Sequence, residues 1–274
     1  MAGVALLIAI WYAAFHIGVF ERADQTMYSA FADLSHRPRV NAIASFVAQL
    51  CNPNPFVFFA AVPVLVAIAR KRVWLAITIG AILLGASETT QLLKPLLAEP
   101  RATSVLSGGV VPPGPASWPS GHATAAMSLA LCMVLAVPSR VRPYMAALGA
   151  AFAVAVSYSF LALQWHYPSD VFGGFLVAGT WTLLGIAAVF AAEARAQAGA
   201  GVERGGQRVS IREALGPPAM ALLGALALVG VVVLARPQAV IAYARIHTSF
   251  MVGAAAIGAL GLALATGVAL ALRR

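Results

Sequence analysis

The chain has 274 residues, of which 61% are hydrophobic and 10% are charged, and its formal net charge is +9. Soluble domains carry about 25% charged residues, and a soluble chain this apolar would lack the polar groups needed to cover its own surface. These values exclude a soluble globular protein and predict an integral membrane protein. The positive charge does not indicate a nucleic-acid partner, because no basic block with interleaved aromatic residues is present.

Eight apolar segments are candidates for membrane-spanning helices, each of which needs about 20 mostly apolar residues. They are residues 3–20, 43–69, 73–93, 119–137, 143–163, 168–192, 217–235 and 248–272. The second is interrupted by the sequence CNPNPF, where Pro53 and Pro55 lack backbone donors and predict a kink or a short helix before the span. Residues 24–36 predict an amphipathic segment at the membrane interface. The predicted fold is an all-α, polytopic membrane helical bundle.

The chain is predicted to divide into three parts. Residues 1–192 form the membrane core, and residues 214–274 form two additional transmembrane helices. Between them, residues 193–213 are rich in glycine and charge and predict a flexible cytoplasmic loop. The last helix contains several glycines and alanines, which allow close packing against the core or against a second copy of the chain.

Positive charge is distributed unevenly between alternate loops of the chain. Most of the Lys and Arg residues lie in one alternate set, in the segments 70–72, 140–142, 195–212 and 273–274. Because cytoplasmic loops carry an excess of Lys and Arg, both termini are predicted to be cytoplasmic in a protein of the plasma membrane. This orientation places loops 94–118 and 164–167 together on the extracytoplasmic side.

The first of these loops begins with the sequence LLKPLLAEPRA. Lys94 and Arg101 are seven residues apart, or about two helical turns. Pro95 and Pro100 disfavour a continuous helix, so a turn-rich segment is expected to hold the pair. Taken alone, the pair also fits two basic side chains that snorkel to lipid headgroups.

The same loop ends in the sequence SWPSGHATAAM, where Pro119, Ser120, Gly121 and His122 open the fourth predicted helix. Proline is favoured in a first helical turn, and glycine lets an anion approach the backbone. The free amides at such a helix start can bind an anion. Taken alone, the sequence also fits a helix cap beside an isolated histidine.

The second loop contains the sequence FLALQWHYPSD. His166 and Asp170 are four residues apart and share a face if a helix starts near Pro168. A carboxylate placed there accepts a hydrogen bond from one ring nitrogen and leaves the other basic and nucleophilic. Taken alone, this is also the pattern of a hydrogen-bonded polar pair at the membrane interface.

In this order, Lys-x6-Arg, Pro-Ser-Gly-His and His-x3-Asp resemble the motifs of the type 2 phosphatidic acid phosphatase superfamily, membrane lipid phosphatases related to vanadium haloperoxidases. The resemblance covers residues 40–192. It implies a core of six spanning helices with the site on the extracytoplasmic side. Ala102 departs from the family pattern, which has a proline after the arginine.

The resemblance also implies a mechanism. His166 would attack phosphorus and form a phosphohistidine, Asp170 would orient it, and His122 would protonate the leaving oxygen and later activate water. The remaining motif residues would bind the phosphoryl oxygens; these are Lys94, Arg101 and the backbone amides of Ser120 and Gly121. No metal or other cofactor is implied, and the few acidic residues include no clustered ligand set.

Phe160 stands where the family has a third phosphate-binding arginine. Losing one charged donor to the transition state can cost about 100-fold in rate. Three interpretations are open: another cation replaces the arginine, Gln164 supplies a neutral donor, or the protein is a weakened or inactive relative that still binds phospholipid. The cations on the same predicted side of the membrane are Arg22, Arg37, Arg39, Arg236 and Arg245.

Glu88 lies inside the third predicted helix, about one and a half turns before Lys94. An ionisable residue in a span indicates a functional site by default. The preferred interpretation is a buried acid that is bonded to Ser87 or Gln91, or held protonated. A supporting role in positioning Lys94 is left open.

The sequence thus predicts an integral membrane lipid phosphatase whose substrate is an amphiphile with a phosphate monoester or diphosphate headgroup. Polyprenyl diphosphate, phosphatidic acid and phosphatidylglycerol phosphate are all compatible with the motifs. A lipid phosphotransferase and a non-catalytic phospholipid-binding or transport protein are the alternatives. The predicted partners are the phosphorylated lipid and the surrounding membrane lipids, and a homo-oligomer formed through the C-terminal helices is left open.

Overall fold

The computed structural model describes residues 2–32, 34, 37–101, 112–200, 215–216, 219–220, 222–223, 226 and 237–272. Within these residues the regular secondary structure is helical, which confirms the predicted all-α bundle. The helices are α1 (Ala2–His16), α2 (Gly18–Ala32), α3 (Pro38–Gln49), α4 (Pro53–Ala69), α5 (Val73–Leu96), α6 (Gly121–Ala136), α7 (Arg142–Ala162), α8 (Pro168–Ala200), α9 (Pro237–Ile246) and α10 (Thr248–Ala271).

Four of the described helices, α5, α7, α8 and α10, are long and apolar enough to cross a membrane. The number rises to six if two bent pairs, α1 with α2 and α3 with α4, each count as one span. α6 is apolar but has only 16 residues, so it is shorter than the roughly 20 residues that a span needs. The protein is therefore a multi-pass membrane protein, but the prediction of eight full spans is not reproduced. The predicted span 217–235 lies largely outside the described residues.

The first two predicted spans are each broken into two helices. The chain bends by 83° between α1 and α2 and by 58° between α3 and α4. The second break falls within CNPNPF, where α3 ends at Gln49 and α4 begins at Pro53. Proline is tolerated in a first helical turn because its missing amide has no helical acceptor there. The predicted kink is confirmed, whereas the sharper break between α1 and α2 was not predicted.

The predicted amphipathic segment forms most of α2, but its polar side faces the protein. Asp24, Gln25, Tyr28 and Phe31 are all buried. The rings of Tyr28 and Tyr167 lie 4.5 Å apart. The amphipathic pattern thus reflects buried contacts with the rest of the bundle as well as any contact with lipid headgroups.

α6 lies at the centre of the bundle and packs against α5, α7 and α8. Most of its side chains are buried. Small residues permit this close approach: a Cβ added to Gly149 of α7 would lie 2.9 Å from the Cβ of Ala130. The first turn of α6, which contains His122, is therefore held in a closely packed frame.

α8 is longer than predicted, because it runs without interruption from Pro168 to Ala200. Residues 193–200 were predicted as the start of a flexible loop and are instead helical. Alanine, glutamate, arginine and glutamine dominate this segment, and all of them favour helix. The rest of the predicted loop, residues 201–213, lies outside the described residues.

The last helix, α10, packs against the core, which is one of its two predicted packing arrangements. The hydroxyl of Tyr158 on α7 donates to the carbonyl of Ala254. The ring of Phe250 lies 4.8 Å from that of Phe31 on α2. α10 is therefore an integral part of the bundle rather than an appendage to it.

The two ends of the bundle correspond to the two alternate sets of loops that differ in their content of Lys and Arg. At one end, Arg72 forms a 3.1 Å salt bridge with Glu193, and Arg142 donates to the carbonyl of Leu272 at 2.7 Å. Lys94 lies in the last turn of α5, about 33 Å along the helix from Arg72. The assignment of these ends to the two sides of the membrane stays a prediction.

Candidate active site

The start of α8 holds the predicted pair of His166 and Asp170. The helix begins at Pro168, so Asp170 lies in its first turn, where the helix dipole favours a carboxylate. Asp170 Oδ2 accepts a hydrogen bond from the Tyr167 amide at 3.0 Å and is 3.2 Å from Nδ1 of His166. Because a carboxylate only accepts hydrogen bonds, Nδ1 donates and Nε2 keeps the lone pair. The His166–Asp170 pair predicted from the spacing is thus present.

The start of α6 supplies the second histidine. Ser120 caps the helix, and its Oγ accepts from the amide of Ala123 at 3.2 Å. The amide of Ser120 itself donates to the carbonyl of Asp170 at 2.9 Å. It is therefore engaged within the protein, contrary to its predicted role as a phosphate donor. The amides of Gly121 and His122 lie in the first helical turn, where no helical carbonyl can accept from them.

Two glycines near the start of α8 allow the two histidine-bearing segments to touch. A Cβ added to Gly174 would lie 2.6 Å from the backbone oxygen of Ser120. A Cβ added to Gly173 would lie 2.8 Å from the ring of Trp118. The helix starts are therefore in backbone contact, which fixes their relative position.

Lys94 lies beside the start of α6. α5 continues through Pro95 to Leu96, so Lys94 is on a helix rather than in the predicted turn-rich segment. A Cβ added to Gly121 would lie 3.7 Å from Nζ of Lys94. A cation next to unpaired helix amides strengthens an anion site.

His122 and His166 approach each other across the site, with 6.3 Å between their ring centroids. Nε2 of His122 lies 2.9 Å from Oδ1 of Asn52, in the break between α3 and α4. The ring of Trp165 lies 5.5 Å from that of His122. Asn52 thus orients His122 through Nε2, whereas Asp170 orients His166 through Nδ1.

Phe160, where the resemblance implies an arginine, touches both histidines. Its ring centroid is 5.2 Å from that of His166 and 5.9 Å from that of His122. The side chain is completely buried. An apolar side chain therefore borders both histidines at this position.

Arg101 is engaged by two carboxylates. Its Nη2 donates to Oδ1 of Asp170 at 2.6 Å, and its Nη1 forms a salt bridge with Asp24. The ring of Tyr167 covers the guanidinium at 4.2 Å. Burial raises the pKa of Tyr167 to about 12, so its phenol stays neutral. The predicted pair of Lys94 and Arg101 is thus divided between two different environments.

The remaining predicted residues have other surroundings. Glu88 is exposed rather than buried, because it lies on the face of α5 opposite the buried Ala86 and Thr90. Gln164 has a left-handed φ of 63°, and its carbonyl accepts from the hydroxyl of Tyr28 at 3.1 Å. Its role as a neutral donor stays a prediction. Four of the alternative cations are exposed, namely Arg22, Arg37, Arg39 and Arg245, and Arg236 lies outside the described residues.

Some residues that contact the site were not predicted from the sequence. Asn52 and Trp165 contact His122, and Asp24 contacts Arg101. Trp165 directly precedes His166, which was a usable signal. Asn52 and Asp24 are distant in sequence from every motif and gave no local signal.

A cavity of about 510 Å³ leads to the site between α4, α5 and α6. Lys94, Gly121 and His122 line it at the site. Elsewhere its lining is mainly apolar and includes Phe56, Val57, Ala60, Val64, Leu83 and Leu84. The cavity therefore combines a cationic, hydrogen-bonding region with an apolar region, as a phosphorylated amphiphile requires.

Within the described part of the chain, no three His, Cys, Asp or Glu side chains are grouped so that they could hold a metal ion. Cys51 and Cys132 are buried free thiols in this part of the chain. The expectation that the protein uses no cofactor stays a prediction.

Comparison with known proteins identifies relatives of this arrangement. Residues 73–194 match the family model of the PAP2 superfamily. The crystal structure of the first transmembrane PAP2 type phosphatidylglycerolphosphate phosphatase from Bacillus subtilis is similar, with a TM-score of 0.51 and 20% sequence identity. The similarity covers 67% of this chain and 92% of that chain, and it establishes a shared fold. No match was found among curated proteins.

Proposed function

Because residues 73–194 match the family model of the PAP2 superfamily, we propose that the protein is an integral membrane lipid phosphatase. Its substrate would be an amphiphile with a phosphate monoester or diphosphate headgroup. The observation that supports this most directly is the approach of two differently oriented histidines, His122 and His166, beside Lys94 at one end of a largely apolar cavity.

The proposed reaction begins at His166. Its Nε2 forms a bond to phosphorus while the bond between phosphorus and the leaving oxygen breaks. His122 donates a proton to that oxygen. Water then attacks the phosphorus of the phosphohistidine, and His122 accepts a proton from that water. The bond between phosphorus and Nε2 breaks, which releases inorganic phosphate and restores the free His166. The Nδ1 hydrogen bond to Asp170 supports this assignment, because it leaves Nε2 free to act as the nucleophile.

Negative charge on the phosphoryl oxygens would be met by Lys94 and by the amides of Gly121 and His122. Donors that are fixed before the reaction stabilise developing charge without reorganisation. The contact between the Lys94 ammonium and the start of α6 supports this role. We assign the lipid tail to the apolar part of the cavity between α4 and α5.

We infer that the site faces the extracytoplasmic side of the plasma membrane and that both termini are cytoplasmic. The excess of Lys and Arg at the opposite end of the bundle supports this orientation. The substrates compatible with the site are phosphatidic acid, phosphatidylglycerol phosphate and polyprenyl diphosphate.

The test is release of inorganic phosphate by the detergent-purified protein from each of these three lipids in mixed micelles. We expect His166→Ala to lower the rate about 1,000-fold or more, because the nucleophile is lost. His247→Ala, which removes a histidine at the start of α10, is the matched control and should keep the wild-type rate. Equal release from the wild type and His166→Ala would refute the proposal. Transfer of the phosphoryl group to an added acceptor lipid without release would identify a phosphotransferase instead.

A further inference from the structure

The guanidinium of Arg101 is enclosed on both faces. The rings of Phe15 and Tyr167 each lie 4.2 Å from its central carbon. The side chain is only 5% exposed. A phosphate group therefore has no access to Arg101 across either face of the guanidinium plane.

The two terminal nitrogens of the same guanidinium are also engaged. Nη1 contacts Asp24 and donates to Oγ of Ser169 at 3.0 Å, and Nη2 donates to Oδ1 of Asp170 at 2.6 Å. Nε has no hydrogen-bond partner and is buried. Both terminal nitrogens of Arg101 thus already donate to protein oxygens.

Asp24 joins this arrangement from α2, outside the segment that matches the family model. Its Oδ1 accepts from the Ser169 amide at 2.9 Å, and its Oδ2 accepts from the Ser169 hydroxyl at 2.7 Å. With Arg101, three donor groups converge on the carboxylate, as expected for its ionised form. Asp24 therefore ties α2 to the first turn of α8, one residue before Asp170.

We propose that Asp24 and Arg101 are positioning residues for the His166 nucleophile and that Arg101 is not a phosphate ligand. The contacts form one buried chain from Asp24 through Arg101 and Asp170 to His166. This assignment rests on the proposed function, within which it replaces the role that the family pattern implies for Arg101.

This series of buried contacts from Asp24 to His166 has an electrostatic consequence for the reaction. Two carboxylates and one guanidinium sum to one negative charge next to the Nδ1 proton of His166. When Nε2 bonds to phosphorus, the imidazole ring becomes cationic, and this negative charge stabilises it. Without the charge of Asp24, the neutral pair of Arg101 and Asp170 would stabilise the cationic ring less.

The test compares turnover with phosphate binding in the same variants. Turnover is measured on the lipid phosphate that the wild type hydrolyses fastest, and the Kd of inorganic phosphate is measured by calorimetry in detergent. Asp24→Asn removes the charge and keeps the shape. Arg101→Lys keeps the charge, but a single ammonium does not reproduce the planar fork that joins two carboxylates. Lys94→Gln removes the assigned phosphate ligand, and Glu193→Gln removes an exposed carboxylate at the opposite end of the bundle.

We expect Asp24→Asn and Arg101→Lys to lower kcat about 10-fold or more while the phosphate Kd changes less than about threefold. Lys94→Gln should raise the Kd about 10-fold or more. Glu193→Gln should change neither quantity. A loss of helix packing alone would move kcat, Kd and the unfolding temperature together, so the separation of kcat from Kd marks a positioning role.

Two results would overturn the assignment. One is an increase in Kd for Arg101→Lys as large as that for Lys94→Gln, since Arg101 would then bind phosphate. The other is a turnover for Asp24→Asn equal to that of the Glu193→Gln control. A wild type that binds phosphate but hydrolyses no lipid would refute the proposed function, whereas the Kd comparison would still decide the role of Arg101.

Ser169→Ala provides a second test in case Asp24→Asn does not fold. It keeps every charge and removes only the hydroxyl that bridges Asp24 and Arg101. We expect a loss of about threefold in kcat, as for the loss of one neutral hydrogen bond. Wild-type turnover in folded Ser169→Ala would overturn the proposal.

Discussion

Replacing Phe160 by arginine would introduce the residue that the family resemblance implies at this position, yet we expect it to destabilise this protein. Phe160 is completely buried, and it contacts His122 and His166. Asp170, the carboxylate of the pair, already accepts from Arg101 on one oxygen and from the Tyr167 amide on the other. A second guanidinium would therefore be buried without a partner.

The expected loss of stability follows from this burial. An uncompensated buried charge costs about 3–5 kcal/mol. In a chain of this size, 1 kcal/mol corresponds to about 2–4 °C in unfolding temperature, so Phe160→Arg should unfold about 10 °C below the wild type. Phe160→Leu keeps the position apolar and should cost about 1.5 kcal/mol or less.

The assay is thermal unfolding of both variants and the wild type in detergent, with and without inorganic phosphate, followed by phosphate release from the lipid substrates. Phosphate should raise the unfolding temperature of Phe160→Arg more than that of the wild type, because the anion supplies the missing opposite charge. A Phe160→Arg protein with wild-type unfolding temperature in the absence of phosphate and faster turnover would refute this reasoning. It would show that a guanidinium is accommodated and paired at this position.

Three further predictions concern other parts of the site. Asn52→Ala should lower kcat about 10-fold, because His122 loses the partner that orients it; an unchanged rate would show that the ring is held by packing alone. Gly174→Ala should destabilise the protein by about 2 kcal/mol, since its Cβ would lie 2.6 Å from a backbone oxygen at the start of α6, and an unfolding temperature equal to that of the wild type would contradict the close contact. Gly114→Cys, where an added Cβ has open space, should react with an impermeant maleimide from outside the cell, whereas Arg140→Cys should react only after permeabilisation; the reverse pattern would invert the proposed orientation.

The predictable parts of the site were those set by local chain geometry. The spacing of His166 and Asp170 places them together once a helix starts at Pro168, and α8 does start there. Ser120 was likewise recognisable as the start of a helix. Its backbone amide was expected to bind phosphate but donates instead to the carbonyl of Asp170. That acceptor lies on another helix, so the local sequence did not reveal it.

Long-range contacts explain what the sequence did not reveal. Asp24 lies 145 positions before its partner Ser169. Its amphipathic helix has the same pattern whether its polar face meets headgroups or the interior of the protein. Glu88 shows a related limit, because the sequence of a largely apolar helix does not indicate which of its faces packs inward.

The packing of α10 has a consequence for biosynthesis. This helix is synthesised after α1 to α8, yet it covers Phe31 on α2 and accepts the hydrogen bond of Tyr158 on α7. Until α10 is inserted, the Tyr158 hydroxyl is without that acceptor, and an unsatisfied polar group is costly within a membrane. Insertion of the final helix should therefore lock the nascent bundle, and ribosome release before residue 248 should leave an assembly intermediate that membrane proteases recognise.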